Sequence, residues 1–234
     1  LLKFNNFLDN QERDYIRVNA LLDRIDDSTS IGRVLLRARS MFSEIFSGFN
    51  EFHLQPRFTS GSTLTLSKTE GTSPFSRFKA SEGSEYLRGV FARRRQEGVY
   101  RFSLTESAFP QSRGDDSFYV QIMMVPKEWS VLRIIGRAPS SVLACQAGLG
   151  DWMAMRAKTR LGIDITTAQH KHKNIARMAS LVDNYLMTAD QSEASDRILK
   201  VLIKWLMPQD LFDYMDDITP SSIRMPDGTS RHTH

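Results

Sequence analysis

The sequence has 234 residues, of which 41% are hydrophobic, so it is long and apolar enough to form a packed core and is not a disordered tail. Its 31 Lys and Arg residues exceed its 27 Asp and Glu residues, a mild basic excess that fits contact with phosphate but does not require it. A single cysteine, Cys145, excludes a disulfide framework and disfavours a cysteine-based zinc site. No apolar run approaches about 18 residues and no signal peptide is recognisable, so we expect a cytosolic protein.

Two helices are predicted near the start of the chain. Apolar residues recur at helical intervals over residues 6–25 and again over 31–47. Ser30 is expected to cap the second helix. The next segment, 55–83, is rich in Ser, Thr, Gly and Pro, which predicts a loop or linker, although basic residues beside aromatic ones, such as Arg57, argue against a pure linker.

A β-hairpin is predicted in the middle of the chain. Residues 118–125 form a mostly apolar run that Pro126 is expected to close, and residues 131–136 form a second run. The connection between the two runs is short enough for a hairpin. A long helix is predicted directly afterwards, over about 141–161.

The last third of the chain is predicted to alternate between helix and strand. A basic helix is expected over 171–183, a short strand over 185–189 and an amphipathic helix over 195–207. Helices together with few strands indicate the α+β class.

The segment from Met187 to Asp196 contains the most informative carboxylates. A short apolar strand ends at Asp190, a Ser-rich turn follows and an amphipathic helix begins, which predicts Asp190 at a strand tip and Asp196 in the first helical turn. Nucleotidyl transfer needs a carboxylate held in this way, because divalent cations take oxygen ligands. A simpler interpretation is also open, in which Ser195 or Asp196 merely caps a helix.

This segment, Asp190-x-Ser-x-Ala-Ser-Asp196, resembles motif A in the RNA replicases of the leviviruses, which are single-stranded RNA bacteriophages. Further segments are similar to the same family in the same order, so the resemblance covers nearly the whole chain. They are Phe58–Thr63 and Ser73–Phe78 (a Gly-rich fingers segment and its continuation), Val125–Lys127 with Arg133–Ile135 (motif F), Leu161–Asp164 (ahead of motif A) and Arg224–Gly228 (leading toward motif B).

The resemblance implies a right-hand polymerase. Residues 1–184 would belong to the fingers, with the motif F hairpin at about 118–137, and residues 185–234 would begin the palm. The chain starts at Leu1 rather than Met and stops at His234, so we expect a fragment that ends before motifs B and C.

The resemblance also implies a role for each matched residue. Asp190 would be the catalytic motif A ligand of two Mg²⁺ ions, and Asp196 would lie near the ribose of the incoming nucleotide. Lys127, Arg133 and Arg137 would bind the nucleotide and neutralise its triphosphate, a role that also suits the chemistry of cations on a hairpin. The alternative for Lys127 and Arg133 is surface solubility.

The match to motif F is incomplete. Ser130 and Leu132 stand where the family pattern carries a Lys and an Asp, and Arg137 replaces a Glu. We therefore expect a divergent site in which Arg137 supplies charge instead.

Two acidic segments have the same residues as polymerase metal-binding motifs but lack the neighbouring strands or the position in the motif order that such motifs require. Gly114-Asp115-Asp116 lies ahead of motif A and lacks apolar strands on both sides. Tyr214-Met215-Asp216-Asp217 follows Asp190 too closely to leave room for motif B, and Asp216 and Asp217 are predicted to end a short helix.

The expected partners are an RNA template and nucleoside triphosphates in the cytoplasm of a bacterial host, without a membrane. By resemblance, host elongation factors Tu and Ts are further candidate partners. The alternative function is a non-enzymatic basic RNA-binding module whose carboxylates are structural. A reading frame that continues past His234 into motif B and a Gly-Asp-Asp motif would favour the polymerase.

Overall fold

The computed structural model describes residues 2–58, 62–64, 119–128, 131–182 and 198–232, and it combines helices with a four-stranded sheet. This mixture fits the predicted α+β class. The chain divides into two compact units, Leu1–Asn50 with Asp151–Phe212, and Glu51–Gly150 with Asp213–His234. The boundary between fingers and palm at residue 184 stays a prediction.

The described part of the first unit is helical. Helices α1 (Leu2–Leu22) and α2 (Ser30–Ile45) confirm the two helices predicted near the start of the chain. The unit also contains the second half of α3 (Ser140–Leu161), α4 (Ile165–Val182) and α5 (Lys200–Leu206). Both α1 and α2 contact α5, and the Arg39 guanidinium lies 5.0 Å from the ring centre of Trp205.

The cap of α2 is Thr29, so the prediction of Ser30 is wrong by one residue. Thr29 has an extended backbone, and its hydroxyl accepts a hydrogen bond from the Gly32 N–H at 2.9 Å. Ser30 is already helical, whereas an N-cap residue must be extended for its oxygen to reach the third helical N–H. A Cβ at position 32 would lie 1.9 Å from the Asp26 carbonyl oxygen, which explains the glycine there.

Arg156 of α3 binds the carboxyl end of α2. Its Nε donates to the Ile45 carbonyl at 2.8 Å and its Nη2 donates to the Ser47 carbonyl at 2.6 Å. The last carbonyls of a helix have no partner within the helix, so an external donor stabilises them. The Trp152 ring, one turn earlier on α3, packs 5.9 Å from the Phe46 ring. The end of α2 is therefore held by both hydrogen bonds and ring contacts.

Replacing Arg156 with Ala is expected to lower the free energy of unfolding by about 1–2 kcal/mol, because two carbonyls lose a charged donor. Chemical denaturation of both proteins measures the difference. Arg160→Ala is the matched control, since Arg160 is exposed on the same helix. Equal effects of the two substitutions would contradict the role assigned to Arg156.

Helix α4 begins at Ile165, six residues before the predicted start at 171. The Asp164 carboxylate accepts hydrogen bonds from the N–H and hydroxyl of Thr166, and it forms a 2.8 Å ion pair with Lys158. The bonds from Lys158 and Thr166 hold the pKa of Asp164 well below its usual range. Gly162 has a positive φ of 69° between α3 and α4. This short turn and its aspartate start α4 despite the two threonines in its first turn.

Helix α5 begins at Lys200, later than the predicted start at 195. Leu199 is its extended N-cap residue and makes no side-chain capping bond. The predictions that Asp196 lies in the first turn of this helix, or that Ser195 or Asp196 caps it, fall on residues outside the described part of the chain. Ile198 is 55% exposed, so the buried stripe does not extend back to it. Asp190, Asp196 and the predicted strand 185–189 lie outside the described residues.

Helix α6 (Gln209–Asp217) confirms that Asp216 and Asp217 end a short helix. Its buried side chains include Leu211 and Tyr214. The other acidic motif, Gly114-Asp115-Asp116, lies outside the described residues.

The sheet of the second unit has the strand order β2-β1-β3-β4. Strands β1 (Tyr119–Glu128) and β2 (Val131–Arg137) form the antiparallel hairpin that the sequence predicted. Strand β3 (Ser222–Arg224) runs parallel to the start of β1, and β4 (Ser230–His232) pairs antiparallel with β3. The hairpin and the carboxyl-terminal segment thus share one sheet, although the sequence places them on either side of the predicted boundary.

Pro126 does not close β1, which continues to Glu128. Pro126 pairs with Leu132, and an irregularity in register follows between Pro126 and Glu128. Strand β3 pairs only with residues 119–121, so among the described residues β1 has a neighbour on one side only at Pro126. A proline, which has no N–H to donate, is tolerated at such an edge position.

Candidate nucleic-acid interface

One face of the sheet carries three arginines from two sequence segments, strand β2 and strand β3. Side chains alternate between faces along a strand, and residues paired across strands share a face. Arg137 pairs with Gln121, which in turn pairs with Arg224. Arg133 precedes Arg137 by four residues on β2, an even number, so both side chains lie on the same face. We call the face that carries Arg133, Arg137 and Arg224 the cationic face. It brings the motif F hairpin and the Arg224–Gly228 segment together.

The sheet is strongly basic. Its four strands contain five Lys or Arg residues and one carboxylate, Glu128. An excess of positive charge attracts a polyanion by long-range electrostatics. The cationic face of this sheet is therefore a candidate surface for phosphate.

Arg133 and Lys127 occupy the distal part of the hairpin. Arg133 is exposed and pairs with Val125, and within the described residues it forms no hydrogen bond or ion pair. Lys127 lies in β1 at the irregularity before Glu128, and its side chain is outside the described part of the structure. The structure thus leaves Arg133 available for a ligand, and the role of Lys127 stays a prediction.

Arg137 is half-buried and makes contacts within the protein. Its Nη2 donates to the Thr63 carbonyl and its Nη1 donates to the Met123 Sδ at 3.4 Å. The Thr63 hydroxyl lies 2.8 Å from the Ser140 hydroxyl, and the Leu64 N–H donates to the Ala138 carbonyl at 2.9 Å. Residues 62–64, at the end of the predicted Gly-rich fingers segment, are therefore fastened to the end of β2. The predicted nucleotide-binding role of Arg137 stays a prediction beside this structural role.

Replacing Arg137 with Lys is expected to lower the free energy of unfolding by about 1 kcal/mol, because one ammonium group cannot reproduce the forked contacts of a guanidinium. The charge is retained, so any affinity for RNA should keep its salt dependence. Chemical denaturation measures the loss, with Arg133→Lys as the exposed control on the same strand. A change no larger than that of the control would show that the Thr63 contact contributes nothing.

Arg224 joins the cationic face from β3, and the sequence did not predict it as a site residue. Its Cζ lies 4.0 Å from the ring centre of Tyr119, and its Nη1 donates to the Tyr119 Oη at 3.1 Å. The guanidinium therefore lies on the aromatic ring, an arrangement that arginine favours. In the sequence, Arg224 is marked only by its position before Met225 and Pro226. A three-residue strand is too short to show the alternation of apolar and polar residues that would predict which face Arg224 occupies.

The described residues contain no group of three or more His, Cys, Asp or Glu side chains that could hold a metal ion. The acidic residues of α6 do not form such a site. Burial, followed by repulsion from Asp216, Asp213 and Glu51, raises the pKa of Asp217. Asp190 and Asp196 are outside the described residues, so their fit to Mg²⁺ rests on the sequence. None of the described helices combines the length and apolar content needed to cross a membrane.

These features define an α+β protein with a candidate polyanion-binding sheet face. The chain belongs to the family described as RNA replicase, beta-chain, whose model matches residues 5–233. The resemblance to leviviral replicases is thereby confirmed.

Three relatives are similar over part of the chain. The RNA-directed RNA polymerase subunit beta of Enterobacteria phage SP is 34% identical over 104 residues, which are 44% of this chain and 18% of the relative. The RNA-directed RNA polymerase beta chain of Escherichia phage MS2 is 33% identical over 97 residues, 42% of this chain and 17% of that protein. The beta chain of Enterobacteria phage GA is 32% identical over 107 residues, 46% of this chain and 19% of that protein. The matched region thus spans less than a fifth of each relative.

Proposed function

We propose that this chain is part of an RNA-directed RNA polymerase that replicates a viral RNA genome. The family match over residues 5–233 carries the proposal, because the relatives found are RNA-directed RNA polymerase chains. Within such an enzyme the chain contributes the fingers and the beginning of the palm. Motifs B and C are expected beyond His234, since the matched relatives are much longer than this chain.

The cationic face supports contact with phosphate. Arg133 is exposed, and Arg133 and Arg224 have no carboxylate partner among the described residues. In the proposed function Lys127 and Arg133 bind the nucleotide and offset the charge of its triphosphate, as cations do in phosphoryl-transfer enzymes. Arg137 adds charge nearby while it holds residues 62–64.

Asp190 is proposed as the catalytic carboxylate and as a ligand of two Mg²⁺ ions. When bound, these ions supply Lewis-acid stabilisation of the attacking and leaving oxygens. A carboxylate suits this position because its full negative charge and oxygen atoms match a hard divalent cation. Asp196 is proposed to lie near the ribose and to favour nucleotides that carry a 2′-hydroxyl.

The proposed partners are an RNA template and nucleoside triphosphates, with elongation factors Tu and Ts as candidate host subunits in the bacterial cytoplasm. Template-directed incorporation of labelled nucleotides, by an enzyme that contains this chain and the motifs expected after it, tests the proposal. Incorporation that requires both template and all four triphosphates is expected.

The alternative is a non-enzymatic RNA-binding module, which the basic sheet also favours. It predicts RNA binding without incorporation by the same enzyme. That result would overturn the polymerase proposal while leaving the cationic face as an RNA site.

A further inference from the structure

Arg224 and Tyr119 form a pair that the resemblance to known replicases did not identify. Tyr119 begins β1 and Arg224 ends β3, and the parallel register of these strands puts both side chains on the cationic face. The guanidinium lies 4.0 Å from the ring centre and donates one hydrogen bond of 3.1 Å to the Tyr119 Oη. The pair is half-buried and next to Gln121, across which lies Arg137.

The stacked guanidinium is a suitable phosphate ligand for three reasons. It is planar and carries five N–H donors, of which the bond to Tyr119 uses one, so most remain available for oxyanions. Stacking on the ring fixes its orientation, so less side-chain entropy is lost when a ligand binds. Among the described residues no carboxylate pairs with Arg224, so its charge is not neutralised locally.

We propose that Arg224, held in place by Tyr119, binds a phosphate group on the cationic face. The phosphate belongs either to the backbone of an RNA strand or to a nucleoside triphosphate, which present the same oxyanion. The inference rests on the proposed function and extends its ligand-binding surface from the motif F hairpin to β3. In it, Arg224 is a ligand-binding residue and Tyr119 is a positioning residue.

The test measures binding of a short fluorescent oligouridylate to the 234-residue chain by anisotropy at several salt concentrations. Arg224→Gln is expected to weaken binding about tenfold, because it removes a charge-assisted hydrogen bond to phosphate. It should also reduce the slope of log affinity against log salt by about 0.7, the value for one phosphate contact with a single strand. Arg231→Gln is the matched control: Arg231 lies on the neighbouring strand β4 and, through its pairing with Ile223, on the opposite face.

Two further variants separate the contact from a structural effect. Arg224→Lys keeps the charge but loses the planar fork, so it should weaken binding about threefold with an unchanged salt slope. Tyr119→Leu removes the stacking surface without changing charge and should also weaken binding several-fold. Thermal melting identifies any variant that does not fold, and Arg224→Lys then replaces Arg224→Gln in the comparison.

A parallel titration with UTP distinguishes the two sources of phosphate. Weaker binding of either RNA or UTP by Arg224→Gln supports the proposal and identifies the source. If wild-type chain binds RNA and Arg133→Gln weakens it, but Arg224→Gln matches Arg231→Gln with both ligands, the inference about Arg224 is overturned and the proposed function stands. If the wild-type chain binds neither RNA nor UTP, the cationic face is not a phosphate site and both proposals lose their structural support.

Discussion

Replacing Asp190 with Asn is expected to reduce nucleotide incorporation by about 10³-fold or more, which corresponds to roughly 4 kcal/mol of activation free energy. The amide has nearly the same shape as the carboxylate but no negative charge. A divalent cation that must be held beside the reacting oxygens is therefore bound too weakly or in the wrong place. The fold should be unaffected, because the substitution changes neither volume nor backbone preference.

The measurement is template-directed incorporation by a polymerase that contains this chain, with RNA affinity and thermal stability measured on the same preparations. Asp27→Asn is the matched control, since it makes the same chemical change at an exposed position between α1 and α2. Asp190→Asn should retain RNA affinity, because Asp190 is proposed to act on the reaction and not on template binding. Near-normal incorporation would mean that motif A has been misplaced and that the polymerase assignment of this segment fails.

The hairpin could be predicted from sequence because its information is local. Residues 119–125 are β-prone and mostly apolar, and the connection to β2 is short, so the pairing of the two runs follows from chain proximity. The placement of β3 beside β1 has no such signal. Tyr119 and Ser222 are paired in parallel although they are far apart in the sequence. A strand of three residues is too short for its sequence pattern to predict such a distant partner.

Helix existence was predicted better than helix ends. The periodic apolar residues of α1, α2 and α3 define where each helix lies, but the first residue depends on one side chain reaching one backbone N–H. Thr29 and Ser30 are both good capping residues, and only the extended backbone of Thr29 decides between them. At Lys200 the helix starts without a side-chain cap, so no residue type marked its beginning.

The candidate site was predicted only in part, because some of its contacts join residues that are far apart in the sequence. Arg133 follows from the hairpin and its register, whereas the contact of Arg137 with Thr63 joins residues 74 positions apart. A sequence pattern gives the charge of an arginine but not whether its guanidinium already has partners. The position of Arg224 on the cationic face depends entirely on the parallel pairing of β3 with β1, so the sequence alone did not predict it.

The affinity of the chain for single-stranded RNA is expected to fall about 50-fold between about 50 and 200 mM salt. Each neutralised phosphate contributes about −0.7 to the slope of log affinity against log salt, because binding releases condensed counterions. We propose that Lys127, Arg133 and Arg224 each contact one phosphate, and that a basic residue of the Ser-, Thr-, Gly- and Pro-rich segment 55–83 contacts a fourth. Four contacts give a slope near −3, which a fourfold rise in salt converts into this loss.

Anisotropy titrations over that salt range measure the slope directly, and the substitutions divide it among residues. Arg133→Gln should reduce the slope by about 0.7, because Arg133 is exposed and without a partner among the described residues. Arg137→Lys should leave the slope unchanged, since the charge remains. An affinity that does not change with salt would contradict phosphate binding by this face altogether. A steep slope that is insensitive to Arg133→Gln would instead place the phosphate contacts on another basic surface, of which the exposed Lys171, Lys173 and Arg177 of α4 are the first to test.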